Sequence, residues 1–184
     1  MIIAYISIRG GVRGVKGVKF MQMTVVLPYA VPGVIIALSM ILAFSQPIAG
    51  VRLYNTIWIL LIAYIARFMN LGYNNISGAI SQVDTSLEEA ARISGASQLR
   101  AFKDVMLPLL KSSLISSFFL VVAPTISELS LSSLLWSVGN ETIGTIVFSA
   151  KEEGRILLTA AIAIILIILV VFINLLVNSQ TDKD

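Results

Sequence analysis

Ser86-Leu87-Glu88-Glu89-Ala90-Ala91-Arg92-Ile93-Ser94-Gly95-Ala96-Ser97, continuing to Leu107-Pro108, is the one long polar segment flanked on both sides by apolar runs of membrane length. Ser86 through Glu89 has the form of a capping box, with Ser86 as N-cap and Glu89 reaching back from the third helical position. That pattern predicts a helix from about Leu87 through Ile93, in which Ala90 and Ala91 are strong helix formers. Gly95 suits a helix stop or a sharp bend. A second helix, Ser97 to about Met106, then sets Leu99, Phe102, Val105 and Met106 on one side, at spacings of three and four. Pro108 is expected to end it, because it cannot donate the next helical hydrogen bond and restricts Leu107 before it. Residues 82–108 therefore read as helix, bend and helix, held between two membrane spans.

The rest of the chain fixes the solvent. At 184 residues, 57% hydrophobic and with a mean hydropathy of +0.92, it is not a soluble domain. Its uncharged stretches of 18 residues or more predict an all-α, polytopic membrane protein. Cysteine and histidine are both absent, which removes disulfides, thiolate chemistry, the commonest metal ligand and the usual general base. Nothing in the sequence calls for a cofactor or a metal. The net charge of +3 belongs to loop topology, and no interleaving of basic and aromatic residues suggests nucleic acid.

Residues 1–8 are apolar but too short to span, and lack the basic start and small-residue cleavage site of a signal peptide. They read as the tail of a truncated helix or a late translation start. Gly11-Val12-Arg13, Gly14-Val15-Lys16 and Gly17-Val18-Lys19 form a threefold tripeptide repeat and, with Arg9, a positive anchor. Residues 21–44 are expected as the first complete span, kinked or broken at Leu27-Pro28-Tyr29-Ala30-Val31-Pro32-Gly33. The second runs from about Thr56 to Tyr73, with Trp58 as an interfacial aromatic and Arg67 snorkelling near the cytoplasmic side. A third apolar segment covers Ser112 to Trp136 and contains Pro124 and Glu128. Residues 137–155 return to the polar surface, Ile156 to Asn178 form the last span, and Asp182-Lys183-Asp184 a short soluble tail. Four complete spans plus a truncated one result.

Loop charges orient the chain. Arg9, Arg13, Lys16 and Lys19 precede the first full span, and Arg92, Arg100, Lys103 and Lys111 lie in or beside residues 82–108. The alternate side holds Arg52, Lys151 and Arg155, so eight against three places residues 82–108 in the cytoplasm.

Glu89, Ala90, Ala91, Gly95, Phe102, Val105, Leu107 and Pro108 fall at the spacing of the EAA loop. In this the chain resembles the permease subunits of type I ATP-binding-cassette importers, and the Leu-Pro…Val-Pro-Gly run at 27–33 resembles the iron(III) group among them. The resemblance implies one permease domain over residues 1–184, multi-pass in the cell membrane and corresponding to a partial module. That module is a fragment, one half of a split protein, or the second of two fused modules. It implies that residues 82–108 couple to a cytoplasmic ATPase through Glu89, Ala90, Ala91, Gly95, Phe102, Leu107 and Pro108. It also implies an extracytoplasmic solute-binding protein, a second permease module (homodimer or fused half) and surrounding lipid as partners. The chain carries no Gly-x4-Gly-Lys-Ser/Thr phosphate loop and is read as a non-enzyme powered by its partner.

Glu128 stands out because a carboxylate in an apolar segment costs about 2.5–3.5 kcal/mol to insert and seldom faces lipid. Two readings are open: a translocation-path residue with Ser127 and Ser130, or a structural partner of Arg67 or of water at the outer interface. On an ideal helix Ser113, Ser117 and Glu128 project within about 60° of one another, a polar stripe. An anionic, oxygen-rich lining suits a hard cation, which with the resemblance favours ferric iron. Thiamine, phosphonate, sulfate or molybdate and polyamine permeases share the pattern. A membrane-embedded enzyme would need more convergent ionisable groups than Arg67 and Glu128, and a channel or structural subunit would leave the EAA spacing unexplained.

Because the chain has no cysteine, single introduced cysteines test the orientation. Ser97→Cys should react with an impermeant thiol reagent from the cytoplasmic side only, and Asn140→Cys from outside only. Labelling of Ser97→Cys in intact cells overturns the assignment.

Overall fold

Backbone placed in a bilayer must satisfy its own N–H and C=O groups, and the apolar runs of this chain do so as helices. The computed structural model describes residues 1–12, 16–47 and 50–181; Arg13 of the basic anchor and the tail Asp182-Lys183-Asp184 lie outside the described residues. In chain order the helices are α1 (Ile2–Val12), α2 (Val18–Ala30), α3 (Gly33–Phe44), α4 (Ile57–Gln82) and α5 (Thr85–Ile93). They continue with α6 (Gln98–Ala101), a π turn (Phe102–Met106), α7 (Leu107–Leu109), α8 (Lys111–Ile126), α9 (Ser132–Leu135), α10 (Ile143–Glu152) and α11 (Ile156–Thr181). Helix α4 and residues Ile156–Leu175 of α11 are each long and apolar enough to cross a membrane, and the count reaches four if each of two bent pairs is one span.

Both bends have a local cause. Val31, held extended (φ −82°, ψ 132°) by the ring of Pro32, ends α2, and α3 departs at 112° to it. The expected kink is therefore a break that turns the chain past a right angle. The second bend, 70°, separates Gln98–Leu109 from α8. Here Pro108 does not end the helix as expected. The turn before it widens into a π turn, closed by Leu107 N–H on the Phe102 carbonyl; a wider turn accommodates a residue that cannot donate its own bond. The helix runs on to Leu109, and Leu110 (φ −91°, ψ 4°) makes the corner.

Helix α4 is the central element, packed by α1, α2, α3, α8 and α9. At 26 residues it outruns the expected Thr56–Tyr73 span and carries Asn70, Asn74 and Asn75 inside the helix. Near its start, Ile59, Leu60 and Ala63 pack with Ile36 and Ala37 of α3 and with Leu131 and Leu135. Toward its end, Ile76 and Ile80 pack with Ala4 and Tyr5 of α1 and with Met106 and Leu110. The segment expected from Ser112 to Trp136 is not one helix. Helix α8 ends at Ile126, two residues after Pro124, and Glu128 lies in the link to α9. Helix α11 packs on α8 and α10 and turns Ile164, Ile165, Ile168 and Phe172 outward, a surface suited to lipid.

Gly33 sits where the two broken segments meet. A Cβ there would lie 2.9 Å from Ser130 Cβ and 3.3 Å from Glu128 Oε1, whereas one at Gly78 would meet nothing within 4 Å. Gly33→Ala should destabilise the fold by about 1–3 kcal/mol through overpacking, and Gly78→Ala should be neutral or stabilising by about 0.5–1 kcal/mol. Thermal unfolding in detergent, with the two variants side by side, checks both signs.

Candidate functional site

The loop between α4 and α8 is built from its caps inward. Helix α4 ends at Val83, again extended (φ −80°, ψ 122°), and Asp84 caps α5 by accepting from the Ser86 N–H at 2.8 Å. The N-cap is thus Asp84, not Ser86, and Glu89 is no capping partner. With Asp84 two residues upstream accepting from the N–H of Ser86 itself, the helix starts earlier, at Thr85, and leaves Glu89 exposed on its surface. At the other end, Gly95 takes φ +90°. The Gly95 N–H donates to Arg92 O and the Ala96 N–H to Ala91 O, both at 3.0 Å. This pair of bonds is a Schellman stop, and only glycine adopts that φ without strain. Ser97 then caps α6 by accepting from Arg100 N–H.

The loop has a bound side and an open side. Met106 and Ala101 are buried and Phe102 half-buried, its ring edge-on to Tyr5 at 4.7 Å. Glu89, Ala90, Arg92, Leu107 and Pro108 are exposed and Ala91 half-buried. Ile93 and Leu99 are 88% and 77% exposed, so Leu99 does not share the buried side with Met106 as expected. A shallow depression beside Gly95 is lined by Ala91, Ser94, Ala96, Arg100 and Val105.

Sequence reasoning missed Glu88. Its carboxylate is 3% exposed and accepts from Tyr5 Oη at 2.7 Å and from Arg9 Nε at 2.7 Å. Arg9 Nη2 also donates to the Val83 carbonyl at 2.7 Å. The available signal was Tyr5 and Arg9, two polar-tipped side chains one turn apart in a mainly apolar helix. Arg9 is therefore not only an anchor charge.

A second polar cluster joins the broken segments. Arg67 turns inward instead of snorkelling: Nη1 donates to the Val31 carbonyl at 2.7 Å, and Nε lies 3.7 Å from Glu128 Oε2. Glu128 Oε1 accepts from the Leu131 N–H at 3.0 Å. Ser127 and Ser130 are exposed beside it, and Tyr64 Oη bonds Ser132 Oγ, which donates to the Glu128 carbonyl. The stripe expected to join Ser113 and Ser117 to Glu128 does not form, because α8 stops before Glu128. Ser117 Oγ and the Ser113 carbonyl instead accept from Asn75 Nδ2 of α4.

The family model described as binding-protein-dependent transport system inner membrane component matches residues 4–182. The chain belongs to that family. This inner-membrane component is 30% identical over 154 residues to the putative 2-aminoethylphosphonate transport system permease protein PhnV of Salmonella typhimurium, covering 84% of this chain and 57% of the relative. It is 28% identical to the ferric transport system permease protein FbpB of Actinobacillus pleuropneumoniae (95% and 25%). To the putrescine transport system permease protein PotI of Escherichia coli K12 it is 29% identical (83% and 54%). The chain thus spans about half the length of two of these relatives and a quarter of the third. Its fold matches a bacterial ABC transporter involved in the import of the acidic polysaccharide alginate, with a TM-score of 0.76 at 17% identity, over 98% of this chain and 71% of that one.

Asp84 offers a pH test. Its hydrogen bonds from the Ser86 backbone and side chain hold its carboxyl below the usual carboxylate range. The folded-state pKa is depressed, so the cap's contribution is full above the unfolded value and is lost as pH falls through the folded one. Asp84→Asn should keep the cap and remove this acid sensitivity, while Asp84→Ala should lose the cap at every pH. Amide protection factors at Ser86 and Leu87 follow it.

Proposed function

We propose that this chain is the permease component of an ABC importer whose residues 82–108 dock a cytoplasmic ATPase. The observation that carries the reading is the two-sided loop: Glu88, Phe102 and Met106 fix one side to the membrane part, while Glu89, Ile93 and Leu99 stand free around the Gly95 bend. A soluble partner's cleft would bury about 1.5–3 kcal/mol of transfer free energy for each of the two aliphatic side chains. An extracytoplasmic binding protein delivers the cargo, as the alginate transporter's periplasmic protein complex makes natural, and a second permease module completes the path.

Glu128, Ser127 and Ser130 line that path in this proposal, at the junction of the two broken segments. Ferric iron is the cargo first read from the sequence, and similarity to the ferric permease over 95% of the chain supports it. The charge argument for a cation is weaker than the sequence suggested, because Arg67 faces Glu128 and offsets its charge. That pairing favours a second reading: opposite charges side by side are complementary to the amine and phosphonate of 2-aminoethylphosphonate.

One reconstituted complex tests both levels. Co-expressed with its ATPase subunit, the wild type should retain it through purification, and Ile93→Asp or Leu99→Asp should reduce retention about tenfold. Retention by both variants at wild-type level overturns the docking face. In vesicles, iron(III) uptake that falls in Glu128→Gln supports the cation reading; uptake of 2-aminoethylphosphonate instead selects the second.

A further inference from the structure

Tyr5 and Arg9 leave α1 one turn apart on one face, and both reach the single carboxylate of Glu88, 83 and 79 residues away. Arg9 and Glu88 side chains are 7% and 4% exposed. A buried guanidinium–carboxylate pair is a weak source of net stability, because desolvation offsets most of the attraction. Its distinctive property is direction: two charge-assisted hydrogen bonds to opposite carboxylate oxygens fix one register and one orientation. Arg9 adds the Val83 carbonyl at the root of α5, and Tyr5 adds the Phe102 ring of the π turn. Three points along the loop, at 83, 88 and 102, are thereby tied to one helix that is remote in sequence. Helix α1 also packs on α2 and α4, and α2 leads directly to the 112° break whose carbonyl Arg67 holds.

We propose that Tyr5, Arg9 and Glu88 are positioning residues that make α1 move with α5. Displacement imposed on the loop then reaches the broken segment through α1 and α2, in parallel with the covalent route through α4 and α8. All three are buried, whereas Glu89, Ile93 and Leu99 on the open face are exposed; they act through the helix they hold. This inference rests on the reading that residues 82–108 dock an ATPase.

The test uses the full transporter in vesicles and reads ATPase retention, ATP hydrolysis, and cargo uptake per ATP. Glu88→Gln keeps the size and removes the charge. The double substitution Arg9→Met with Glu88→Leu keeps apolar packing without directional pairing, a replacement that buried ion pairs tolerate, and also removes the bonds to the Val83 carbonyl and the Tyr5 hydroxyl. Both should insert, retain the ATPase and hydrolyse ATP, while uptake per ATP falls about tenfold, a coupling effect in the usual range. The exchanged pair, Arg9→Glu with Glu88→Arg, should recover part of the loss, short of all of it because a cation is disfavoured in the first turn of α5. Wild-type uptake per ATP in the Met/Leu double overturns the proposal. So does a Glu88→Gln complex that loses ATPase retention while uptake per ATP is unchanged, since Glu88 would then only shape the docking face. Failure of the wild type to retain any ATPase counts against the docking reading itself and is distinguishable from both.

Discussion

A carbonyl freed at the end of a membrane helix must find a donor, and this chain twice supplies an arginine. Val31 ends α2 and Val83 ends α4, both in the extended conformation. The carbonyl of the first accepts from Arg67 and that of the second from Arg9, each at 2.7 Å. Each guanidinium also faces a carboxylate, Glu128 or Glu88, from the far side of the break. One guanidinium thus satisfies the lost backbone bond and balances an ion that would otherwise be costly where water is scarce. The two junctions differ in tightness: Arg9 and Glu88 share a direct 2.7 Å hydrogen bond, whereas Arg67 Nε and Glu128 stand at 3.7 Å.

These junctions explain the placement of the cores. The apolar cluster around Ile59, Leu60 and Leu131 lies in the same half of α4 as the Arg67 junction, and that around Ile76, Ile80 and Met106 toward the end that meets the Arg9 junction. Between them α4 meets α8 through a polar seam in which Asn75 bonds Ser113 and Ser117. Hydrogen bonds of this kind hold helices together where the hydrophobic effect gives no preference for protein over lipid.

What the sequence revealed follows physical range. Gly95 was legible because a left-handed residue at a helix stop is a local demand, and the break at Val31-Pro32 because proline acts on its neighbour; the 112° angle depends on what α3 packs against. Asp84 and Ser86 are both good caps within two residues, and local pattern could not rank them. Pro108 misled because the rule for a helix stop assumes α-geometry, and the π turn relaxes that assumption. Membership of the importer permeases was legible from the EAA spacing. Glu88 was not, because its burial depends on Tyr5 and Arg9 some eighty residues away. Arg67 and Glu128 were legible as a possible pair, whereas the capture of the Val31 carbonyl needed the fold.

Helix α4 has a mechanical consequence as well. It has 26 residues, about 39 Å at helical rise, with an apolar cluster toward each end, the Arg67 junction near its middle and the Val83 junction at its close. A helix of that length without an internal proline behaves as a stiff rod on the scale of its packing contacts. Pivoting it by about 5° about its C-terminal end moves the level of Arg67, about 22 Å away at helical rise, by about 2 Å, more than the difference between the 3.7 Å gap at that junction and a hydrogen bond. The gap at the looser arginine junction is therefore of a size that a small rocking of one rod can open or close, with no helix unwound.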